Sequence, residues 1–342
     1  MDKSSTSKLY SEKAFLDQLH IYEQEGLIPA KVAHVIIGFF KTYKIALSSQ
    51  KKTIEPVLPL FFDFLEKVKD QLMNPYSFEY FHQQVKHPFD YHRFGIDFFR
   101  PLVLEEASYL QGADYLAQIQ KQLEQGDNVI FLANHQIEPD PQAMFILFER
   151  HAPQIIDHLI FVAGERVVVD PVAVPFSLGC NLLCIYSKRY IDFPAEKKAE
   201  KQLHNTKTMK VMKSLLDEGG KCIYVAPSGG RDRKDENGLI HPAPFDPQSV
   251  EMFYLMARHS LRPTHFYPLA LSTYSILPPP ETIQKELGEE RVAKAAAIKI
   301  GIGPCLDMES FPGKELEDKT LRRKARSDYI YRVVCQTYNQ LV

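Results

Sequence analysis

Apolar residues recur at helical spacing through residues 11–70. Phe15, Leu16 and Leu19 share one face; Val32, Val35, Ile36, Phe39 and Phe40 share a second; Leu58, Phe61, Phe62, Phe64 and Leu65 share a third. Chain breakers separate these stretches at Gly26–Pro29, Ser48–Lys52 and Asn74–Pro75. The pattern predicts three or four short amphipathic helices forming a small bundle. After Pro75 the period changes. Short β-rich runs fall at Val129–Ala133, Leu159–Ala163, Leu183–Tyr186, Cys222–Ala226, His265–Leu271 and Ile298–Ile302, with helical candidates between them at 141–152, 197–217, 247–260 and 318–340. Several of the runs are continuously apolar, as strands buried on both faces are. The predicted fold class is therefore α/β: a mixed, largely parallel central sheet flanked by helices, with a small N-terminal helical bundle. The expected boundaries are 1–75 for the bundle and 76–342 for the α/β unit.

Composition narrows the function classes. A chain of 342 residues with 45% apolar and 25% charged residues is neither disordered nor fibrous. A net charge of −2 removes the electrostatic case for bulk nucleic-acid binding, so no nucleic-acid partner is expected. Apolar runs such as Val129–Ala133 and Val35–Phe40 fall far short of the ~20 residues that span a bilayer. Residues 1–20 lack the apolar core of a secretion signal and carry Asp2, Glu12 and Asp17, unlike a transit peptide. The expected location is cytoplasmic, or the plastid stroma in a plastid-bearing organism. Five cysteines, an odd and sparse count, suit a reducing compartment without a disulfide framework. Cys180 and Cys184 form the one close pair and lack two further soft ligands nearby, so they are expected to pack as small apolar residues, and no metal is expected.

Candidate chemistry gathers where apolar strands end, as ligand sites do in such sheets. The first loop reads Asn134-His135-Gln136-Ile137-Glu138-Pro139-Asp140-Pro141. A helix is expected to begin with Asp140 as N-cap and Pro141 in its first turn. His135 and Asp140 then flank a short connection that can bring their side chains together. An imidazole accepts a proton near neutral pH, and a carboxylate on its other nitrogen fixes the tautomer. The bland alternative is a capping Asp140 and an ordinary loop histidine. The second loop reads Ala226-Pro227-Ser228-Gly229-Gly230-Arg231-Asp232-Arg233-Lys234. Its glycines let backbone approach a ligand, and guanidinium forks suit phosphate. It lacks the residue order of a nucleotide-binding P-loop. The alternative here is a solvated charge run. A third segment, Tyr186-Ser187-Lys188-Arg189-Tyr190, ends another strand with two cations, or is simply a basic strand end.

In this order, with Tyr267-Pro268-Leu269-Ala270-Leu271 and Pro278-Pro279-Pro280 following, the segments resemble the soluble glycerol-3-phosphate 1-acyltransferases of chloroplast type. Pro88-Phe89-Asp90-Tyr91, Phe94-Gly95 and Arg100-Pro101-Leu102 are similar to that family's entry into its α/β domain. The resemblance covers residues 75–305 and implies a role for each matching residue. His135 is the general base toward the sn-1 hydroxyl of glycerol 3-phosphate, and Asp140 orients it. The alkoxide attacks a fatty acyl thioester on acyl carrier protein or coenzyme A, which serve as co-substrates, and no cofactor is implied. Arg231 and Arg233 hold the substrate phosphate, joined by Lys188, Arg189 and Tyr190. Plant relatives carry Lys and then His where this chain has Arg189 and Tyr190. Arg189 keeps the charge and adds a fork, while Tyr190 offers one neutral hydrogen bond.

Residues 188–213 carry eight lysines and arginines against three acids, a local excess of five. Such a surface attracts an acidic carrier protein or, transiently, an anionic membrane surface, unless it is merely a solvated helix face. Two other functions remain open at this point. One is an acyltransferase for another acceptor such as lysophosphatidate, and the other a non-catalytic module that binds phosphorylated lipid headgroups.

Overall fold

The computed structural model describes residues 10–188, 191–281 and 288–342. Its first three helices are α1 (Glu12–Gln24), α2 (Ala30–Ser49) and α3 (Leu58–Met73). They begin and end at the breakers seen in the sequence. Ser11 caps α1 by accepting a hydrogen bond from Ala14 N at 3.1 Å.

Among the described residues ten strands follow: β1 (Phe81–His82), β2 (Tyr109–Gln111), β3 (Asn128–Ala133), β4 (Leu159–Gly164), β5 (Asn181–Ile185), β6 (Cys222–Val225), β7 (Arg233–Lys234), β8 (Ile240–His241), β9 (Thr264–Ser272) and β10 (Lys299–Ile302). Strands β7 and β8 make a separate antiparallel hairpin. The rest form one eight-stranded sheet in the order β1-β5-β4-β6-β3-β9-β10-β2. Only the β1–β5 and β9–β10 pairs are antiparallel. The mixed, largely parallel sheet expected from the sequence is what the chain forms.

Strand β3 shows why. All six of its residues are buried, and β6 and β9 pair with it on either side in parallel register. Alternation along β3 divides the interior in two. Val129, Phe131 and Ala133 enter a core shared with α1–α3 and with α4 (Tyr91–Phe99), α5 (Ala113–Glu124) and α6 (Asp140–His151). Ile130 and Leu132 enter a second core on the opposite face. The short helices α7 (Pro153–Ile156), α8 (Glu165–Val169) and α9 (Val174–Ser177) follow on the first side. The second core is closed by α10 (Lys198–Glu218), α11 (Pro247–Arg258) and α12 (Lys319–Asn339). No helix among the described residues is long and apolar enough to cross a membrane.

The N-terminal helices meet the α/β layers through one aromatic cluster. Phe98 of α4 stacks on Phe39 at 5.8 Å between ring centroids and touches Phe61 at 5.0 Å and Phe64 at 5.5 Å. Phe176 of α9 lies 5.2 Å from Phe98 and 5.6 Å from Phe64. Tyr43 Oη donates to the Phe98 carbonyl at 2.7 Å, so the buried hydroxyl has a partner.

Two local expectations need correction, and some elements were not expected at all. The run expected at Leu183–Tyr186 is a strand at Asn181–Ile185. Asn181 Nδ2 donates to Leu159 O at 3.0 Å, while Asn205 of α10 takes both backbone groups of Tyr186, at 2.7 and 2.8 Å, out of the ladder. Strands β1 and β2 and helices α4 and α5 had no counterpart in the pattern reading; the two strands are too short to show an alternation. Asp140 is the first residue of α6 and does not cap it, because its side chain turns back into the preceding loop. Cys180 and Cys184 are buried, and burial pushes both thiols up to about 12.

Phe98 joins the two parts of the first core, so Phe98→Ala is expected to remove about 3–5 kcal/mol of stability. Urea unfolding followed by circular dichroism measures this, and a loss below about 1 kcal/mol means the cluster does not join them.

Candidate active site

Parallel strands end at one edge of the sheet, and the chain there must satisfy backbone groups the ladder no longer serves. After β3 it does so with side chains. Asn134 Oδ1 accepts from Leu271 N at 2.7 Å, and its Nδ2 donates to Leu271 O at 2.9 Å, so an amide imitates one more rung between β3 and β9. Gln136 Oε1 accepts from Thr273 N at 2.7 Å and Tyr274 N at 2.9 Å. Tyr224 Oη donates to Asn134 O at 2.6 Å. The loop is fixed by buried polar groups that all have partners.

His135 sits between these two amides. Its Nδ1 lies 2.8 Å from Asp140 Oδ2. That oxygen also accepts from Gln136 N at 2.8 Å and Ile137 N at 3.3 Å, and Thr273 Oγ1 donates to Oδ1 at 2.6 Å. A carboxylate surrounded by donors makes Nδ1 the protonated ring nitrogen, so Nε2 carries the lone pair. Asp140 is 1% exposed and the His135 side chain 31%. The carboxylate is shielded and the imidazole can meet a ligand. The sequence pair is therefore brought together, with Thr273 as a partner that sequence reasoning missed.

The second loop leaves β6 and turns at Gly229, whose φ of +65° is one that L side chains rarely adopt. Gly229 N donates to Ala226 O at 3.1 Å. Asp232 turns inward and is fully buried. Its Oδ2 accepts from Asn134 Nδ2 at 2.7 Å and Gln136 Nε2 at 3.2 Å, its Oδ1 from Ala243 N at 2.8 Å, and its own N–H donates to His135 O at 2.7 Å. The two loops are thereby locked in register. Arg231 and Arg233, on either side of Asp232, both line the cavity described below.

The cations arrive with partners. Arg231 forms a two-point ion pair with buried Glu289, Nη1 to Oε1 at 2.7 Å and Nη2 to Oε2 at 2.8 Å. Arg233 donates to the carbonyl of Pro280, and Lys188 pairs with Asp246. Arg189 and Tyr190 lie outside the described residues. Behind Arg231, Arg291 pairs with Glu138 at 2.8 Å and with Asp170 at 3.1 Å. Burial opposes its charge, but Glu138 and Asp170 hold its pKa above the ordinary arginine value. Glu289 is likewise pushed up by burial and pulled below the usual range by Arg231. Sequence reasoning missed Glu138, Asp170, Glu289 and Arg291, which are far apart in the chain; charged residues in loops give no warning of burial.

Arg231, Arg233, Lys188, Glu138 and Arg291 border one cavity of about 450 Å³. His135, Asp140, Arg231, Arg233 and Lys188 are among its polar lining residues; Phe39, Phe99, Phe161, Phe176, Leu182 and Met209 are among its apolar ones. The basic stretch at 188–213 is less open than its count suggests. Lys198 pairs with Asp192 at 2.8 Å, Lys213 with Asp217 at 2.5 Å, and Lys201 donates to Phe193 O. Among the described residues no three His, Cys, Asp or Glu side chains gather as a metal site would require.

Burial raises the Asp232 carboxyl to about 6. The folded state therefore holds this proton more tightly than the unfolded chain. Its stabilising effect is full below the unfolded value near 3.8 and is lost as pH rises through about 6. Asp232→Asn removes that linkage, so it should destabilise the protein more at pH 5 than at pH 7.5, by about 1 kcal/mol. Urea unfolding of both proteins at the two pH values checks the sign, and an equal effect at both overturns it.

Comparison with known proteins gives a consistent result. The Acyltransferase family model matches residues 115–272, from α5 to the end of β9. A chloroplastic glycerol-3-phosphate acyltransferase of Cucurbita moschata is 35% identical over 334 residues, covering 97% of this chain and 74% of that protein. The chloroplastic glycerol-3-phosphate acyltransferases of Pisum sativum (36% identical, 93% of this chain, 70% of that one) and Arabidopsis thaliana (34%, 97% and 72%) match as fully. Among solved structures, a 1-acyl-sn-glycerophosphate acyltransferase from Thermotoga maritima overlaps 71% of this chain and 77% of its own at 17% identity and a TM-score of 0.36, too slight a likeness to carry an argument. At more than a third identity along nearly its whole length, the chain belongs to the chloroplast-type glycerol-3-phosphate acyltransferase family.

Proposed function

We propose that the protein transfers a fatty acyl group from an acyl thioester, carried on acyl carrier protein or coenzyme A, to the sn-1 hydroxyl of glycerol 3-phosphate. The product is lysophosphatidate. The observation that carries this reading is the 2.8 Å His135–Asp140 pair lining a cavity that Arg231 and Arg233 also border. The names of the relatives supply the substrate class.

In this reading His135 Nε2 takes the hydroxyl proton as the oxygen attacks the thioester carbonyl. Asp140 holds the ring in that tautomer and stabilises the imidazolium, and Thr273 holds Asp140. The tetrahedral intermediate collapses: the new C–O ester bond stays, the C–S bond breaks, and the thiolate leaves with the proton available on His135. No serine or cysteine nucleophile and no metal takes part. The base contributes roughly 10²–10⁴-fold, the remainder coming from positioning. Arg231 and Arg233 hold the phosphate together with Lys188, and the family resemblance assigns the same role to Arg189 and Tyr190. The apolar lining of the cavity takes the acyl chain. Residues 1–75 serve as a helical module that contributes Phe39 to this lining, and residues 76–342 as the catalytic unit. Lys207 and Lys210, exposed on α10, suit an acidic carrier or a transient contact with an anionic membrane surface. The site of action is the cytoplasm, or the stroma in a plastid, the compartment named for the relatives.

His135→Ala is expected to lower kcat at least ~10²-fold while leaving the circular dichroism spectrum unchanged. Near-normal turnover in that variant rules out the base. Arg231→Ala should raise KM for glycerol 3-phosphate ~10-fold or more and leave KM for the acyl thioester in place. An equal rise for both substrates rules out the phosphate assignment, and faster acylation of lysophosphatidate in direct competition rules out the acceptor.

A further inference from the structure

Arg231 borders the cavity with its guanidinium already engaged. Its two contacts to Glu289, 2.7 Å from Nη1 and 2.8 Å from Nη2, form an end-on fork through the tips of the group. A guanidinium carries five N–H donors in one rigid plane. End-on pairing therefore leaves the side edge, Nε–H with the adjacent Nη–H, for a second two-point partner. Glu289 is itself anchored. It is buried, Arg166 Nη2 lies 3.9 Å from its Oε2, and Arg291 Nη1 donates to its backbone carbonyl at 3.0 Å. Arg291 continues to Glu138 and Asp170. Three arginines thus interleave with three carboxylates, and Glu138 stands two residues before Asp140.

Glu289 can act on acceptor binding in two ways of opposite sign. As a mere counter-ion it weakens the positive potential that draws a phosphate, and neutralising it would tighten anion binding. As an orienting group it fixes the guanidinium plane, and neutralising it would loosen binding. The geometry favours the second. Both tips are committed to a buried, cross-linked carboxylate, and the remaining edge recognises a tetrahedral anion only if its plane is held.

We infer that Glu289 is a positioning residue for the acceptor: it holds Arg231 end-on so that the side edge of the guanidinium meets the phosphate. This rests on Arg231 being the phosphate ligand. The test is steady-state kinetics of Glu289→Gln with glycerol 3-phosphate and acyl-CoA. The amide keeps the shape but offers one acceptor oxygen and sets a donor against the other Nη. KM for glycerol 3-phosphate should rise ~10-fold or more with kcat within ~3-fold and KM for acyl-CoA unchanged. A merely structural role would move both KM values together. In an Arg231→Lys background, which has no fork, Glu289→Gln should add less than ~2-fold. Glu289→Asp keeps the charge and shortens the reach, so it should raise the acceptor KM by a smaller factor, and it serves if the amide variant does not fold. An unchanged or lowered acceptor KM in the folded variants overturns the inference and leaves the function standing. A wild-type chain that does not acylate glycerol 3-phosphate overturns the function, and the inference with it.

Discussion

A single buried carboxylate sets the geometry on which the rest of this site depends. Asp232 accepts from Asn134, Gln136 and Ala243 and returns its own N–H to His135. Without it, the loop after β3 and the loop after β6 would be two independent connections, each free to shift by an ångström. Catalysis by positioning cannot tolerate such a shift, because a misplaced base or phosphate clamp loses rate steeply. The burial that raises the Asp232 pKa shows that the lock is held at an electrostatic cost. Three well-placed donors offset that cost, two on Oδ2 and one on Oδ1.

The polar side chains after β3 extend the same logic. A parallel sheet is buried on both faces, so its strand ends open into protein as much as into solvent. Asn134 and Gln136 carry the hydrogen-bonding pattern of the sheet past its last regular rung, and His135, between them, is the residue directed to the cavity. The backbone is thus most constrained beside the group whose chemistry depends most on placement.

Much of this was legible in the chain itself. Continuous apolar runs such as Val129–Ala133 marked buried strands, breakers such as Gly26–Pro29 marked helix ends, and five-residue spacing brought His135 to Asp140. The four long helices of the α/β unit fall within a few residues of their expected bounds. What could not be read was pairing across sequence distance. Arg231 and Glu289 have all of β7, β8, α11 and β9 between them, and Thr273 reaches Asp140 only because β9 lies beside β3. The expectation that Asp140 caps α6 failed for a related reason: local preference gave way to a tertiary demand from His135, Thr273 and the loop backbone. Glycine, proline and apolar period report local structure; buried ion pairs report topology, and a sequence shows topology only after it folds.

The apolar lining of the cavity has a mixed parentage. Phe39 comes from α2, Phe99 from α4, Phe176 from α9 and Leu182 from β5, whereas His135, Lys188 and Arg231 stand in strand-end loops, with Asp140 at the start of α6 and Arg233 at the start of β7. The apolar and the charged parts of the lining are therefore drawn largely from different elements. A substitution at Phe39 or Phe99 changes the apolar surface from outside the loops that set His135 beside Arg231, so an engineer can alter the one without rewriting the other.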